Sequence, residues 1–323
     1  MRPTNWVKKS VVAFLLALNV FVWSQAGPTL VNVCIDDDGA LAAPPLLFQT
    51  QALEQFPDHL DGDGLGKTRL LHLDYIDVYG TNYIPRNQGS SSSCVGQSAA
   101  CAVDILGAVE TKAGLRNLPP PPRSSASWIY GCSREVGGIE NKGRGSYSRL
   151  AARSLEEVGF VYEENFFMLG YDLTGDNPVR DIEFRLGVPD ELLPLAYHRI
   201  AGYYELHSYE DVRDAIYNGM PVIVGSSVGF GKTNNVIWRD DDGFLSQPIF
   251  KFRGKYWPHA LCFIGVCDQG RRGVLCMNSW GEYWVDGPQR FGNEPLGSFW
   301  IDESVVNKMV AHSDCFALYG LTN

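Results

Sequence analysis

The chain has 323 residues, 45% hydrophobic and 20% charged, enough to bury a core in one or two domains. Thirty-seven acidic against 27 basic residues give a net charge of -10. An acidic chain without a basic stripe argues against nucleic acid as a partner and disfavours docking on an anionic membrane surface.

Arg2, Lys8 and Lys9 precede an apolar run from Val11 to Trp23, and Ser24 and Ala26 then stand two apart before Gly27. A basic start, a short apolar run and a small-x-small site describe a secretory signal peptide over residues 1–26. No charge returns until Asp36, so a retained membrane tether through residues 8–35 is the second reading and a buried structural segment the third. Either of the first two puts the remainder outside the cytoplasm: secreted, periplasmic or anchored by the N-terminus. Residues 27–70 read as a tether or short pro-segment, because turn formers crowd Asp36 to Gly39, Pro44-Pro45 and Asp61 to Gly64. A folded module is expected over 71–323.

Within it, Val95, Ala99, Ala102, Val103, Leu106 and Val109 recur at three- and four-residue steps and predict a helix from Cys94 to Glu110. Four serines before it suit a helix start. Further helices are expected over Ser125 to Val136, Ser148 to Val158 and Tyr209 to Tyr217, the last two closed by Gly159 and Gly219. The later half changes character. Apolar, β-prone runs cover Pro221 to Ser226, His259 to Val266, Val274 to Met277 and Ser298 to Ile301. Residues 229–257, polar and rich in glycine and aspartate, read as a long loop or hairpin. Helices first and strands later predict an α+β chain of two unlike halves, with a site in the cleft between them.

Eight cysteines are present: Cys34, Cys94, Cys101, Cys132, Cys262, Cys267, Cys276 and Cys315. Their spacing does not give connectivity. Cys262, Cys267 and Cys276 lack paired CxxC spacing, which argues against a zinc site; most of the eight read as small buried apolar residues. Cys94 differs, because it opens a helix, where the dipole and free N–H groups favour a thiolate. A Cys94 nucleophile has to remain unpaired, leaving seven cysteines and at least one more without a partner.

The segment Asn87-Gln88-Gly89-Ser90-Ser91-Ser92-Ser93-Cys94 is similar to the stretch around the nucleophile of papain-like cysteine peptidases, the papain/cathepsin type, where Gln-Gly lies six and five residues before the cysteine. His259-Ala260-Leu261-Cys262-Phe263-Ile264-Gly265-Val266 resembles the family's His-Ala-apolar-Gly strand, and Asn278-Ser279-Trp280-Gly281 its Asn-Ser-Trp-Gly motif. The order Cys, His, Asn also matches. The chain looks like a divergent, bacterial or viral-like member.

The resemblance implies a two-lobed fold with a helical N-terminal lobe and a β-rich C-terminal lobe. It also implies a cysteine endopeptidase: Cys94 as nucleophile, His259 as base, Asn278 orienting the histidine, and Gln88 with the Cys94 N–H binding the oxyanion. Trp280 would shield the His–Asn contact, and Ser93 would support the site. The Cys–His–Asn chemistry that the resemblance implies needs no metal or cofactor. Its partner would be a peptide or protein substrate; oligomeric state is not legible.

Departures are Ser91 where a disulfide cysteine is usual, Val95 where an aromatic is usual, and Val285 in the second tryptophan motif, Trp284-Val285-Asp286-Gly287. They bear on specificity and stability, while every catalytic group is retained. The rival readings are a papain-fold protein that binds peptides without cutting, a cell-wall peptide hydrolase, and peptide ligation through the same thioester.

Overall fold

The computed structural model describes residues 62–116, 123–163, 186–228, 258–285, 290–311 and 314–322, with short strand segments at 232–233, 236–237, 244–245, 251–252 and 255–256. The signal or anchor at 1–26, Cys34, most of the 27–70 tether, Asp286-Gly287 and His312 lie outside the described residues. No described helix is long and apolar enough to cross a membrane.

The last part of the expected tether belongs to the fold. Thr68–Leu70 form a short strand, β1, that pairs antiparallel with His259–Cys267, setting Leu70 opposite Gly265. Leu70 is buried there; its apolar side chain fills sheet surface, which a solvated tether would not offer. Helix α1 (Leu71–Tyr79) follows directly and ends at Gly80, whose φ of 73° lets the chain turn back in the left-handed region.

The helical lobe is built from α2 (Cys94–Lys112), α3 (Ala126–Val136) and α4 (Ser148–Glu157). Helix α2 is the central element. It packs on α1 and α3 and also against the sheet, so it is buried nearly all round and not along one stripe. Its close approach to α3 depends on Gly96: a Cβ there would lie 2.4 Å from the Ala126 carbonyl oxygen. Ser125 caps α3 by accepting from the Trp128 N–H at 3.2 Å.

The sheet lobe contains β2 (Arg199–Glu205), β3 (Val222–Ser226), β6 (Phe244–Leu245), β9 (His259–Cys267), β10 (Gly273–Met277), β11 (Ser298–Asp302) and β12 (Cys315–Thr322). Their order is β2-β12-β3-β9-β10-β11-β6, with β1 beside β9. Helix α5 (Tyr209–Tyr217) has a Ser208–Asp211 capping box, and α6 (Glu303–Val310) is capped by Asp302. Within the expected loop 229–257 there are two small ribbons, β4 (Lys232–Thr233) with β5 (Val236–Ile237), and β7 (Lys251–Phe252) with β8 (Lys255–Tyr256). β6 joins the main sheet parallel to β11. Strands β3 and β9 are buried along their whole length, which explains continuous apolar runs in place of alternation.

Candidate active site

Three segments converge. Helix α2 begins at Cys94, β9 begins at His259, and the loop leaving β10 carries Asn278, Ser279 and Trp280. A β-bulge between Leu275 and Cys276 shifts the β9–β10 register before this loop, so that Met277 stands opposite Cys262. The chain ahead of α2 is stitched to the loop. Asn87 and Trp280 form an isolated antiparallel bridge, the Gln88 N–H donates to the Ser279 carbonyl at 2.9 Å, and the Gly281 N–H donates to the Arg86 carbonyl at 2.9 Å.

The segment is also fixed from below. The Arg86 guanidinium is buried, pairs with Asp104 of α2 at 2.7 Å, and donates to Tyr83 Oη and the Ser124 carbonyl. Asp104 in turn accepts from Ser124 N–H and Oγ–H. Several hydrogen bonds thus support the ion pair, and Glu163 adds a second carboxylate 3.7 Å from Arg86 Nη1, the kind of surroundings in which a buried pair is tolerated.

The protons around His259 can be placed by elimination. Asn278 Oδ1 accepts the Ser279 backbone N–H at 2.7 Å, so the amide oxygen points toward the ring. His259 Nε2 lies 2.7 Å from that same oxygen and must donate. The neutral ring therefore carries its proton on Nε2, and Nδ1 holds the lone pair available to a base. Trp280 stacks on the ring with centroids 4.8 Å apart, and Trp284 meets Trp280 edge-on at 5.2 Å. Water is thereby kept from the His–Asn bond on that face. Burial pushes the imidazole down to about 4, against the opposing effect of the Asn278 hydrogen bond.

Gln88 is oriented at both ends of its amide. Its Oε1 accepts the Ser279 hydroxyl at 2.6 Å, and its Nε2 donates to the Ser91 carbonyl at 2.8 Å. One N–H of the amide is left over, as an oxyanion donor needs. Ser93 sits at the α2 N-cap without capping through its side chain. Its hydroxyl bonds Ser91 Oγ at 2.8 Å and its carbonyl accepts the Gln97 N–H at 3.0 Å. The expected capping by serine is replaced by support of the Gln88 turn.

Cys94 is disulfide-bonded in this structure, so its sulfur is not, in this state, the free thiol that a nucleophile requires. Cys101, Cys132, Cys262, Cys267, Cys276 and Cys315 are all free and buried, and Cys34 lies outside the described residues. A disulfide sulfur has no lone charge to direct at a carbonyl, so reduction has to precede any attack by Cys94. Among the described residues no cluster of His, Cys, Asp and Glu is suited to a metal ion.

Comparison with solved structures bears on the frame that holds these residues. The chain is similar to xylellain, a cysteine protease from Xylella fastidiosa, with a TM-score of 0.58 and 15% identity over 92% of this chain and 99% of that one. It is also similar to digestive procathepsin L 3 of the Tenebrio molitor larval midgut, with a TM-score of 0.51 and 18% identity over 84% and 75% of the two chains. The fold is that of papain-like cysteine proteases. No protein-family model matches the sequence, and no curated protein matches it. At these identities the likeness is one of fold, and the chemistry rests on the site itself.

Arg86, Asp104 and Gln97 were not picked out in the sequence, and Ser91 and Ser279 appeared there only within motif segments, without these roles. Only one signal was available for them: the stretch from Cys94 to Ile105 carries a single charge, Asp104, which marks a helix too buried to leave an ionised group unpaired.

Proposed function

We propose that this chain is a cysteine endopeptidase once Cys94 is reduced. The observation that carries the reading is the His259–Asn278 pair, held at 2.7 Å under Trp280 at the start of β9, with its base nitrogen left unprotonated. The oriented amide of Gln88 and the helix N-terminus behind Cys94 support it.

In this reading the Cys94 thiol gives its proton to His259 Nδ1. The thiolate adds to a peptide carbonyl, and the spare N–H of Gln88 and the Cys94 N–H bind the oxyanion. The C–N bond then breaks, His259 gives its proton to the departing amine, and a thioester remains. Water, deprotonated by His259, splits the thioester to a carboxylic acid and the free thiol. The substrate is a peptide or protein segment. We place the chain outside the cytoplasm on its N-terminal pattern, and a disulfide at Cys94 supports an oxidising compartment.

The test is alkylation with a peptidyl epoxide, which reacts with activated cysteines. The reduced full-length chain should be labelled at Cys94 at neutral pH, and His259→Ala should slow labelling by about 10²- to 10⁴-fold. Equal labelling of His259→Ala and the parent would remove histidine from the reaction and with it the proposal.

A further inference from the structure

A small cavity lies directly beneath the Asn278 loop, inside the helical lobe's contact with β9. Arg86, Gln97, Ser98, Cys101, Cys262 and Asn278 are among the residues that line it, and it has room for about one water molecule. Two of its polar atoms, Gln97 Oε1 and Asn278 Nδ2, are buried and meet no hydrogen-bond partner among the described residues. Buried polar atoms are nearly always paired, directly or through water.

The orientation of both amides is fixed by their other ends. The Ser91 hydroxyl donates to the Gln88 carbonyl at 2.8 Å, so the Ser93 hydroxyl donates to Ser91 Oγ. Ser93 Oγ is then left to accept, and Gln97 Nε2 is its donor at 3.4 Å. Gln97 therefore turns its oxygen toward the cavity. Asn278 spends its oxygen on Ser279 N–H and His259 Nε2–H and turns its NH₂ toward the same space. One group is an acceptor and the other a donor.

We propose that Gln97 is a positioning residue: one water, accepting from Asn278 Nδ2 and donating to Gln97 Oε1, fixes the Asn278 amide and through it the ring of His259. The catalytic consequence rests on the peptidase reading; the water bridge itself does not. It makes Gln97 the link between two parts of the site, because the same side chain reaches the Gln88 turn through Ser93 and Ser91. Losing the acceptor frees Nδ2 to seek another partner by rotating the Asn278 amide, which takes Oδ1 away from the imidazole.

The test uses the reduced full-length chain with ¹⁵N-labelled histidine, the variants Gln97→Met and Gln97→Glu, and a crystal structure of the parent. Gln97→Met keeps the length and loses the acceptor; Gln97→Glu keeps an acceptor oxygen. Exchange of the His259 Nε2 proton with water should quicken about tenfold in Gln97→Met and stay near the parent rate in Gln97→Glu. On peptide substrate, kcat should fall about tenfold in Gln97→Met with KM unchanged, and Gln97→Met should add no further loss in an Asn278→Ala background. The parent crystal should show water density within hydrogen-bond reach of both atoms. A dry cavity, or parent-like proton exchange in folded Gln97→Met, would overturn the proposal. If the parent cleaves no peptide, proton exchange and density still decide the bridge, while the peptidase reading falls separately.

Discussion

Reduction of the Cys94 disulfide should raise the pKa of His259, and the size of the change follows from the site. With Cys94 in a disulfide, the buried ring has no ionised sulfur to balance a positive charge, and burial holds it down at about 4. In the proposed ion pair, a Cys94 thiolate at contact distance from the ring would supply that charge. Opposite unit charges about 4 Å apart attract by about 4 kcal/mol at an effective dielectric of 20, which corresponds to about three pH units. The imidazole of the reduced chain should therefore titrate near neutrality or above.

The assay is an NMR titration of ¹³C-labelled histidine with and without reductant, using His259→Gln to assign the resonance. Cys94→Ser should keep the ring low in both conditions, because a serine hydroxyl does not ionise in this range. An unchanged His259 midpoint after verified reduction would refute the ion pair. The oxidised chain makes a second reading of the same group. Its folded pKa, about 4, lies below the ordinary 6.5, so the native state favours the neutral ring. That contribution to stability is complete above pH 6.5 and is lost as the pH falls through 4, up to about 3 kcal/mol. His259→Gln should flatten the acid limb of a stability–pH curve.

Replacing Gln88 by Ala should lower kcat by about 10²- to 10³-fold with little change in KM, the usual effect of losing one oxyanion donor; steady-state kinetics on a peptide substrate read it, and an unaltered kcat would take Gln88 out of the oxyanion site. Asp104→Ala removes the nearer carboxylate of the buried Arg86 guanidinium, leaving Glu163 at 3.7 Å, and should cost about 3 kcal/mol in urea unfolding. A loss below about 1 kcal/mol would show that Glu163 or water takes over from Asp104.

The parts of this fold legible in the sequence are those whose side chains repeat on a simple period or carry a distinctive group. Helix α2 shows its three- and four-residue spacing, and the centres of β3, β9, β10 and β11 are apolar runs. The candidate site residues stood out because each lies in a distinctive motif, and in the structure Cys94 and His259 open elements while Asn278 follows β10.

The remaining elements were hidden for separate reasons. β2 alternates only partly, with Tyr204 and Glu205 both buried, because β12 and α4 cover it on two sides. β12 carries Gly320 at φ 66° in its interior, which reads as a turn. Helix α6 is eight residues long, too short for periodicity to stand out. Gln97 and Ser98 are polar at a level where α2 has no solvent face, since the sheet and α3 close on both sides, and periodicity does not reveal that. Arg86 and Asp104 find each other across 18 residues, and no local pattern encodes that pairing. The disulfide at Cys94 is equally silent in the sequence, since spacing does not specify connectivity.

The most direct measurement is hydrolysis of a pooled fluorogenic peptide library between pH 5 and 8, by the reduced full-length chain and by Cys94→Ala in parallel. A cysteine peptidase gives cleavage by the reduced chain, none before reduction, and none from Cys94→Ala. Equal cleavage by Cys94→Ala, or none from a folded chain whose Cys94 is shown to be a free thiol, would contradict the assignment.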